Sequence, residues 1–147
     1  MTDQGAKNFV RKTLSANDLG RTGGHQAGIA IPKSGHILSF FPRLSPEEYN
    51  PDCIINCFIP ELEMYINLRY VYYNNKLHTQ GTRNEYRITG TTRLLRQLNA
   101  QVQDEIEFTK DKFGEMSINI IRWAADRKAE NTQIKLSNGW SFSVEGD

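Results

Sequence analysis

Three charged side chains alternate within the segment TRNEYRIT, residues 82–89. Arg83, Glu85 and Arg87 are separated by one residue each, so an extended backbone projects all three to the same side. The fork of an arginine matches the O6 and N7 acceptors of guanine, and a carboxylate accepts from the N4 amino group of cytosine. The spacing therefore suits a segment that reads G·C pairs in the major groove. The alternative is a surface ion-pair ladder worth about 0–1 kcal/mol, which the spacing alone slightly favours.

A second polar segment, SANDLGRTGGH at residues 15–25, contains three glycines and little that a core would bury. Its polar side chains and the neighbouring lysines supply groups for base edges and phosphates. These residues are Lys12, Asn17, Arg21, His25, Gln26 and Lys33. The run lacks the Lys-Ser or Lys-Thr ending of a P-loop, and a flexible glycine turn is the alternative interpretation.

Charge is segregated along the chain, although its formal net value is only +1. Residues 1–43 carry six basic and two acidic side chains, and residues 69–96 carry six basic and one acidic. The intervening residues 44–68 carry five acids and no base, and residues 97–147 carry six bases and nine acids. One cationic face is the footprint of a polyanionic partner, whereas purely solvated faces are the equally weighted alternative.

The 147 residues, 38% of them hydrophobic and 24% charged, fit one domain with one core. No apolar run reaches the roughly 18–20 residues that span a bilayer, and the N-terminus lacks the pattern of a signal peptide. A cytoplasmic protein without a membrane partner is therefore expected. Cys53 and Cys57 lie four residues apart on one strand face, which predicts core packing rather than a metal site.

The periodicity predicts a mainly β (α+β) fold with seven or eight strands and two short helices, an open β-barrel. Strands are predicted at 9–14 and 26–32, on both sides of Pro60 within 53–73, and in two hairpins within 104–124 and 134–144. The helices are predicted near 37–44 and 91–100. Two polar loops, 15–25 and 76–88, coincide with the basic stretches, and loops on a rigid scaffold commonly carry binding groups.

Two blocks, LSANDLGRTGGHQAGIAIPK (14–33) and YYNNKLHTQGTRNEYRITG (72–90), closely resemble the N-terminal effector-binding domain of the EcoRII family of restriction endonucleases. The resemblance implies a DNA-binding pseudobarrel related to the plant "B-three" domains. Two arms, about 15–25 and 76–88, would grip one major groove of specific duplex DNA, with the domain acting as a monomer.

The resemblance also implies a larger restriction-modification enzyme. In the family a separate C-terminal nuclease domain is joined to this one. Residues 1–147 are therefore expected to be a single recognition domain excised from such an enzyme, with no catalysis of its own. DNA binding is expected to need no cofactor, and magnesium is expected only for the nuclease.

By resemblance, the base-reading positions are His25, Arg83, Glu85 and Arg87. Further DNA-binding candidates are Lys12, Asn17, Asp18, Arg21, Thr22, Gln26, Lys33, Arg69, Lys76, Asn84 and Tyr86. The chain departs from the family pattern at Ala30, Gly81 and Tyr86, where an aromatic residue and two lysines are typical. These departures leave three outcomes open: a shifted readout, a weaker readout, or phosphate contacts moved to Lys76 and Arg69.

Two other functions are compatible with the sequence. A small metal-dependent nuclease would use Asp52 with Asp126 and Lys128. A binder of single-stranded RNA or DNA would stack bases on Tyr70, Tyr72 and Tyr73 along one barrel face.

Overall fold

The computed structural model describes residues 8–21, 28–33, 35–123, 133–135 and 138–143. The strands in this part of the chain are β1 (Asn8–Thr13), β2 (Ile29–Ile31), β3 (Asp52–Ile59), β4 (Met64–Tyr73), β5 (Glu85–Thr89), β6 (Glu105–Lys110), β7 (Met116–Ile121), β8 (Gln133–Lys135) and β9 (Trp140–Ser143). Among the same residues, the helices are α1 (Gly35–Leu38), α2 (Asn75–His78) and α3 (Thr91–Gln97), and a 3-10 turn lies at Pro60–Leu62. No helix among the described residues is long and apolar enough to cross a membrane.

The nine strands form one sheet in the order β2-β5-β4-β3-β7-β6-β1-β9-β8. Every neighbouring pair is antiparallel except β3 and β7, which run parallel. Ile31 at one edge and Phe142 near the other belong to the same core cluster, so the sheet must curl around that core. The predicted mainly β, open-barrel architecture is confirmed.

Aromatic rings from distant parts of the chain meet at the centre of the core. The ring of Phe41 lies 5.4 Å from Tyr70, 5.4 Å from Phe108 and 6.5 Å from Trp140. Strands such as β7 alternate fully and partly buried residues, as a sheet with one face on the core requires. This core gives the strands that carry the arms a rigid base.

The two cysteines lie on the core side of β3, as the spacing predicts. Cys57 is fully buried, and the half-buried Cys53 packs against the core cluster. Burial raises the pKa of the Cys57 thiol to about 12, so it is protonated at neutral pH. Both side chains therefore act as small apolar residues.

Residues 76–88 differ from the continuous polar loop that the sequence predicts. Glu85–Thr89 is an interior strand that pairs with β4 on one side and with β2 on the other. Asn75–His78 forms a helical turn that the sequence does not predict, and the helix predicted near 37–44 is instead the short helix Gly35–Leu38. Charged residues at alternate positions leave β5 without the apolar pattern typical of a strand. The hydrogen bonds that define it come from strands that are distant in sequence. With β5, the described residues form nine strands, one more than the larger predicted number.

Candidate nucleic-acid interface

The three alternating charged residues converge on one carboxylate. Arg83 donates from Nε at 2.9 Å and from Nη2 at 2.7 Å to Oε2 of Glu85. Arg87 donates from Nη1 at 3.2 Å to Oε1 of the same carboxylate. The ion-pair ladder is therefore present, and it fixes the side chains that a base reader would use. Base reading by this segment stays a prediction.

The two arginines differ in their exposure. The side chain of Arg83 is 36% exposed and that of Glu85 is 28% exposed, whereas Arg87 is only 4% exposed. Nη2 of Arg87 donates to the carbonyl oxygen of Gly28 at 3.0 Å, which ties β5 to the segment that enters β2. Among the described residues, Nη1 of Arg83 has no hydrogen-bond partner, so this end of its fork can meet a ligand.

Glu85 is held in its charged form. Partial burial raises the pKa of this carboxyl, but hydrogen bonds and charge from Arg83 and Arg87 outweigh burial and lower it below the usual 4.5. A carboxylate has about four lone-pair positions, so Glu85 can accept a further hydrogen bond while keeping both arginines. At neutral pH it offers an acceptor to an amino group.

We predict that Glu85 stabilises the fold at neutral pH and that this contribution disappears in acid. Its pKa is lower in the folded chain, so the contribution is present above the unfolded pKa and is lost as pH falls through the folded value. Denaturant unfolding of wild type and Glu85→Gln should therefore differ at pH 7 and converge well below pH 4.5. A difference that stays constant across this range would contradict the ion-pair role.

The backbone before Arg83 is held by the turn α2. The Arg83 amide donates to Oδ1 of Asn75 at 2.7 Å, and the Lys76 amide donates to the Arg83 carbonyl at 2.9 Å. Gly81 packs so closely on Asn75 that an added Cβ would lie 2.6 Å from its Cγ. A lysine, typical of the family at this position, would require that Asn75 side chain to move.

Tyr86, the other departure within this arm, packs on an aromatic neighbour. Its ring stacks on Tyr72 with centroids 4.1 Å apart and planes 4° from parallel. The Tyr72 hydroxyl donates to Oδ1 of Asn84, so both residues around Glu85 are fixed on the opposite side of the strand. Tyr86 and Asn84 therefore support the arm from its core side.

The first arm begins with a compact turn around Asp18. The Ser15 amide donates to Oδ2 of Asp18 at 3.0 Å, and the Asp18 amide donates to Oγ of Ser15 at 3.2 Å. Lys12 Nζ lies 2.7 Å from the same carboxylate oxygen and donates to the Thr13 carbonyl at 2.8 Å. Both charged side chains are largely buried, so they hold the base of the arm.

Other predicted residues of the first arm have different positions. Asn17 is exposed on the turn, and exposed Arg21 makes a long contact of 3.4 Å with Oε1 of Gln101. Thr22, His25 and Gln26 lie outside the described residues.

The chain enters β2 and β5 at opposite ends of this strand pair. Because β2 and β5 are antiparallel, the segment before β2 arrives beside Ile88, whereas the segment before β5 arrives beside Ile31. Gly28 has a φ of +80°, and an added Cβ would lie 2.1 Å from the Ile88 carbonyl oxygen, so only glycine fits here. Gly28 and Glu85 therefore lie at opposite ends of the β2–β5 strand pair.

Three further basic candidates are exposed near the second arm or β2. Lys33 follows β2 and Lys76 lies on α2. Arg69 on β4 donates from Nε at 2.7 Å to Oδ2 of Asp52, and this hydrogen bond raises the pKa of Arg69. Ala30 lies on β2 directly opposite Arg87.

The structure bears on the two alternative functions, the binding of single-stranded nucleic acid and metal-dependent cleavage. Tyr70 and Tyr72 are 0% and 6% exposed, so the prediction that they stack bases is wrong: their rings pack in the core. Tyr73, the third predicted residue, is half-buried at the end of β4. Asp52 pairs with Arg69, and Asp126 and Lys128 lie outside the described residues. Within the described part of the chain, no three histidine, cysteine or acidic residues are grouped as metal ligands.

Comparison with known proteins defines first the class and then the family. The fold matches a crystal structure of the B3 domain of the UbaLAI restriction endonuclease with cognate DNA, at a TM-score of 0.60 and 19% identity. The match covers 93% of this chain and 86% of that one, so the fold is that of a B3 domain.

The family follows from sequence. Residues 2–105 match the family "Restriction endonuclease EcoRII, N-terminal", and the chain belongs to this family. It is 43% identical over 84 residues to the type II restriction enzyme EcoRII of Escherichia coli. That alignment covers 53% of this chain and 19% of the enzyme, so the chain matches about a fifth of its relative. The resemblance in the two arm segments is thereby confirmed.

Proposed function

We propose that this chain binds duplex DNA sequence-specifically as a monomer, with both arms in one major groove and a short site that contains G·C pairs. The observation that carries the proposal is the preformed and partly exposed Arg83–Glu85 pair at the start of β5. Membership of the EcoRII N-terminal family and the B3 fold support it.

The pair suits a G·C base pair chemically. The free end of the Arg83 fork faces acceptors such as O6 and N7 of guanine, and Glu85 accepts from N4 of cytosine. Because both side chains are already fixed, binding costs less side-chain entropy than it would for two mobile residues. We assign Arg87 a positioning role, since its burial favours holding Glu85 over the base reading that the resemblance implies.

The remaining cations act through charge. Arg21, Lys33 and Lys76 are exposed and supply phosphate contacts on either side of the reading pair. His25, Thr22 and Gln26 complete the first arm by their place in the family pattern. Such contacts position the duplex without selecting its sequence, and they make affinity fall as salt rises.

A binding selection from a randomised duplex library tests the proposal. Enrichment of one short motif that contains G·C pairs is the expected result, and affinity for it should decrease with increasing salt. Competition with the matching single strands should not displace the duplex. A library without enrichment, or preferential binding of the single strands, would overturn the proposal.

We further propose that the chain is the recognition part of a cytoplasmic restriction endonuclease whose nuclease domain lies in another part of the full-length protein. The match to the N-terminal part of EcoRII supports this placement. Incubation with supercoiled plasmid and magnesium should leave the DNA intact, and a chelator should leave binding unchanged. Cleavage would instead favour the nuclease built on Asp52, and loss of binding would show a metal requirement.

Replacing Lys12 by alanine should weaken binding to cognate and random duplexes by the same factor, roughly two- to tenfold. Its ammonium already pairs with Asp18, so its role is to hold the base of the first arm rather than to select bases. Fluorescence anisotropy at several salt concentrations measures the affinity for each duplex and its dependence on salt. The slope of log affinity against log salt concentration should match that of wild type, whereas a slope smaller by about one would reveal a direct phosphate contact.

A further inference from the structure

We propose that Tyr73 positions the Arg83 guanidinium and thereby sets the base preference of the Arg83–Glu85 pair. Arg69 and Asp52 in turn hold Tyr73. This inference rests on the proposed function and adds to it a specificity-determining residue outside the candidate set. Tyr73 lies on β4, directly opposite Glu85 on β5.

The Arg83 guanidinium is held on two sides. Its Cζ atom lies 3.8 Å from the centroid of the Tyr73 ring, within the range of a cation–π contact. Its Nε and Nη2 both bond to one oxygen of Glu85. The ring restrains the guanidinium face and the carboxylate restrains one edge, so the plane of the remaining fork has a defined direction.

Tyr73 is itself linked to the third strand of this region. Nη1 of Arg69 lies 3.5 Å from the Tyr73 hydroxyl oxygen, a long hydrogen bond. Nε of Arg69 donates at 2.7 Å to Asp52, on β3. The connected groups therefore run from Asp52 through Arg69 and Tyr73 to Arg83, across β3, β4 and the start of β5.

This arrangement affects base selection more than total affinity. An arginine reads guanine only when its fork lies close to the plane of the base, whereas a phosphate accepts it from many directions. Without the ring, the long side chain samples more orientations and contacts phosphate as readily as bases. Loss of Tyr73 should thus relax preference at the base pair read by Arg83, while the charge and the salt dependence stay unchanged.

The test compares Tyr73→Leu with Tyr73→Phe on the duplex enriched from the randomised library and on variants of it with single base-pair changes. Tyr73→Leu should lower affinity for the enriched duplex by roughly two- to tenfold and flatten the preference at one base pair. Binding to random duplex and the salt slope should not change. Tyr73→Phe keeps the ring and should retain most of the preference.

A matched control is available on the same strand. Tyr65 is 58% exposed, points to the same side of β4 as Tyr73, and lies eight residues away, roughly 27 Å along the strand. Tyr65→Leu should leave affinity and base preference as in wild type. Equal effects of Tyr65→Leu and Tyr73→Leu would overturn the inference, because they would reflect general destabilisation.

Arg83→Ala separates this inference from the proposed function. If Arg83→Ala loses base preference while Tyr73→Leu keeps the wild-type preference, the positioning role of Tyr73 is overturned and the DNA-reading function stands. No selective effect of Arg83→Ala would instead overturn the reading role of the pair. If thermal unfolding shows that Tyr73→Leu does not fold, Arg69→Gln replaces it. A partial loss of preference at the base pair read by Arg83 supports the inference, and a wild-type base preference overturns it.

Discussion

Replacing Arg83 by alanine is expected to lower affinity for the enriched duplex by about 1–3 kcal/mol, roughly a five- to 150-fold loss, and to relax the preference at one base pair. The physical reason is the loss of the exposed end of its fork, which the contacts to Glu85 leave available. Affinities for duplexes with each base at the affected position measure the change.

Arg83→Lys is the matched control for charge. Lysine keeps the cation but has no planar fork, so it should retain the salt dependence while losing most of the discrimination between bases. Alanine should also reduce affinity for random DNA slightly through the lost charge. Equal losses on cognate and random duplexes for Arg83→Ala would contradict direct base reading and leave only an electrostatic role.

A second large effect is expected from Asn74→Ala, which should lower the free energy of unfolding by about 2–4 kcal/mol. The Asn74 side chain is fully buried at the base of the second arm. Its Oδ1 accepts from the Asn50 amide at 2.7 Å, and its Nδ2 donates to the carbonyls of Glu48 at 2.8 Å and Pro46 at 3.3 Å. Alanine removes these partners of three backbone groups and leaves a cavity.

Urea unfolding measures this loss, and Asn67→Ala is its control. Asn67 is an exposed asparagine on β4, the strand that ends just before Asn74, and its side chain accepts one hydrogen bond of 2.9 Å from Asn56. Its replacement should change stability by no more than about 0.5 kcal/mol. Similar losses for both variants would mean that Asn74 is not a special anchor of the arm.

Most of the scaffold follows from local sequence pattern. β3 and β4 show alternating, β-branched and aromatic residues around Pro60, and the pairs β6–β7 and β8–β9 fall where hairpins are predicted. α3 falls on the leucine periodicity of residues 91–100. In each of these elements the residues that must be buried already repeat with the period of the element.

The exceptions depend on distant partners. β5 carries charges at alternate positions and has only Ile88 as a strong apolar residue, so its hydrogen bonds to β2 and β4 are not visible in its own pattern. Asp18 and Lys12 resemble free DNA-contacting charges in sequence, yet they neutralise each other within the fold. Asn74 carries no sequence signal beyond its polar type, because its role comes from a loop more than twenty residues earlier.

The sequence by itself determined which chemical groups are available: two arginines and one carboxylate at alternate positions, beside a second polar arm. Only the tertiary structure decided which arginine faces outward. Arg87 lies where β2 pairs with β5, so the backbone of Gly28 covers it. Arg83 precedes that pairing and lies over the ring of Tyr73. Alternation along a strand selects a face, but burial depends on which neighbouring strand reaches that position.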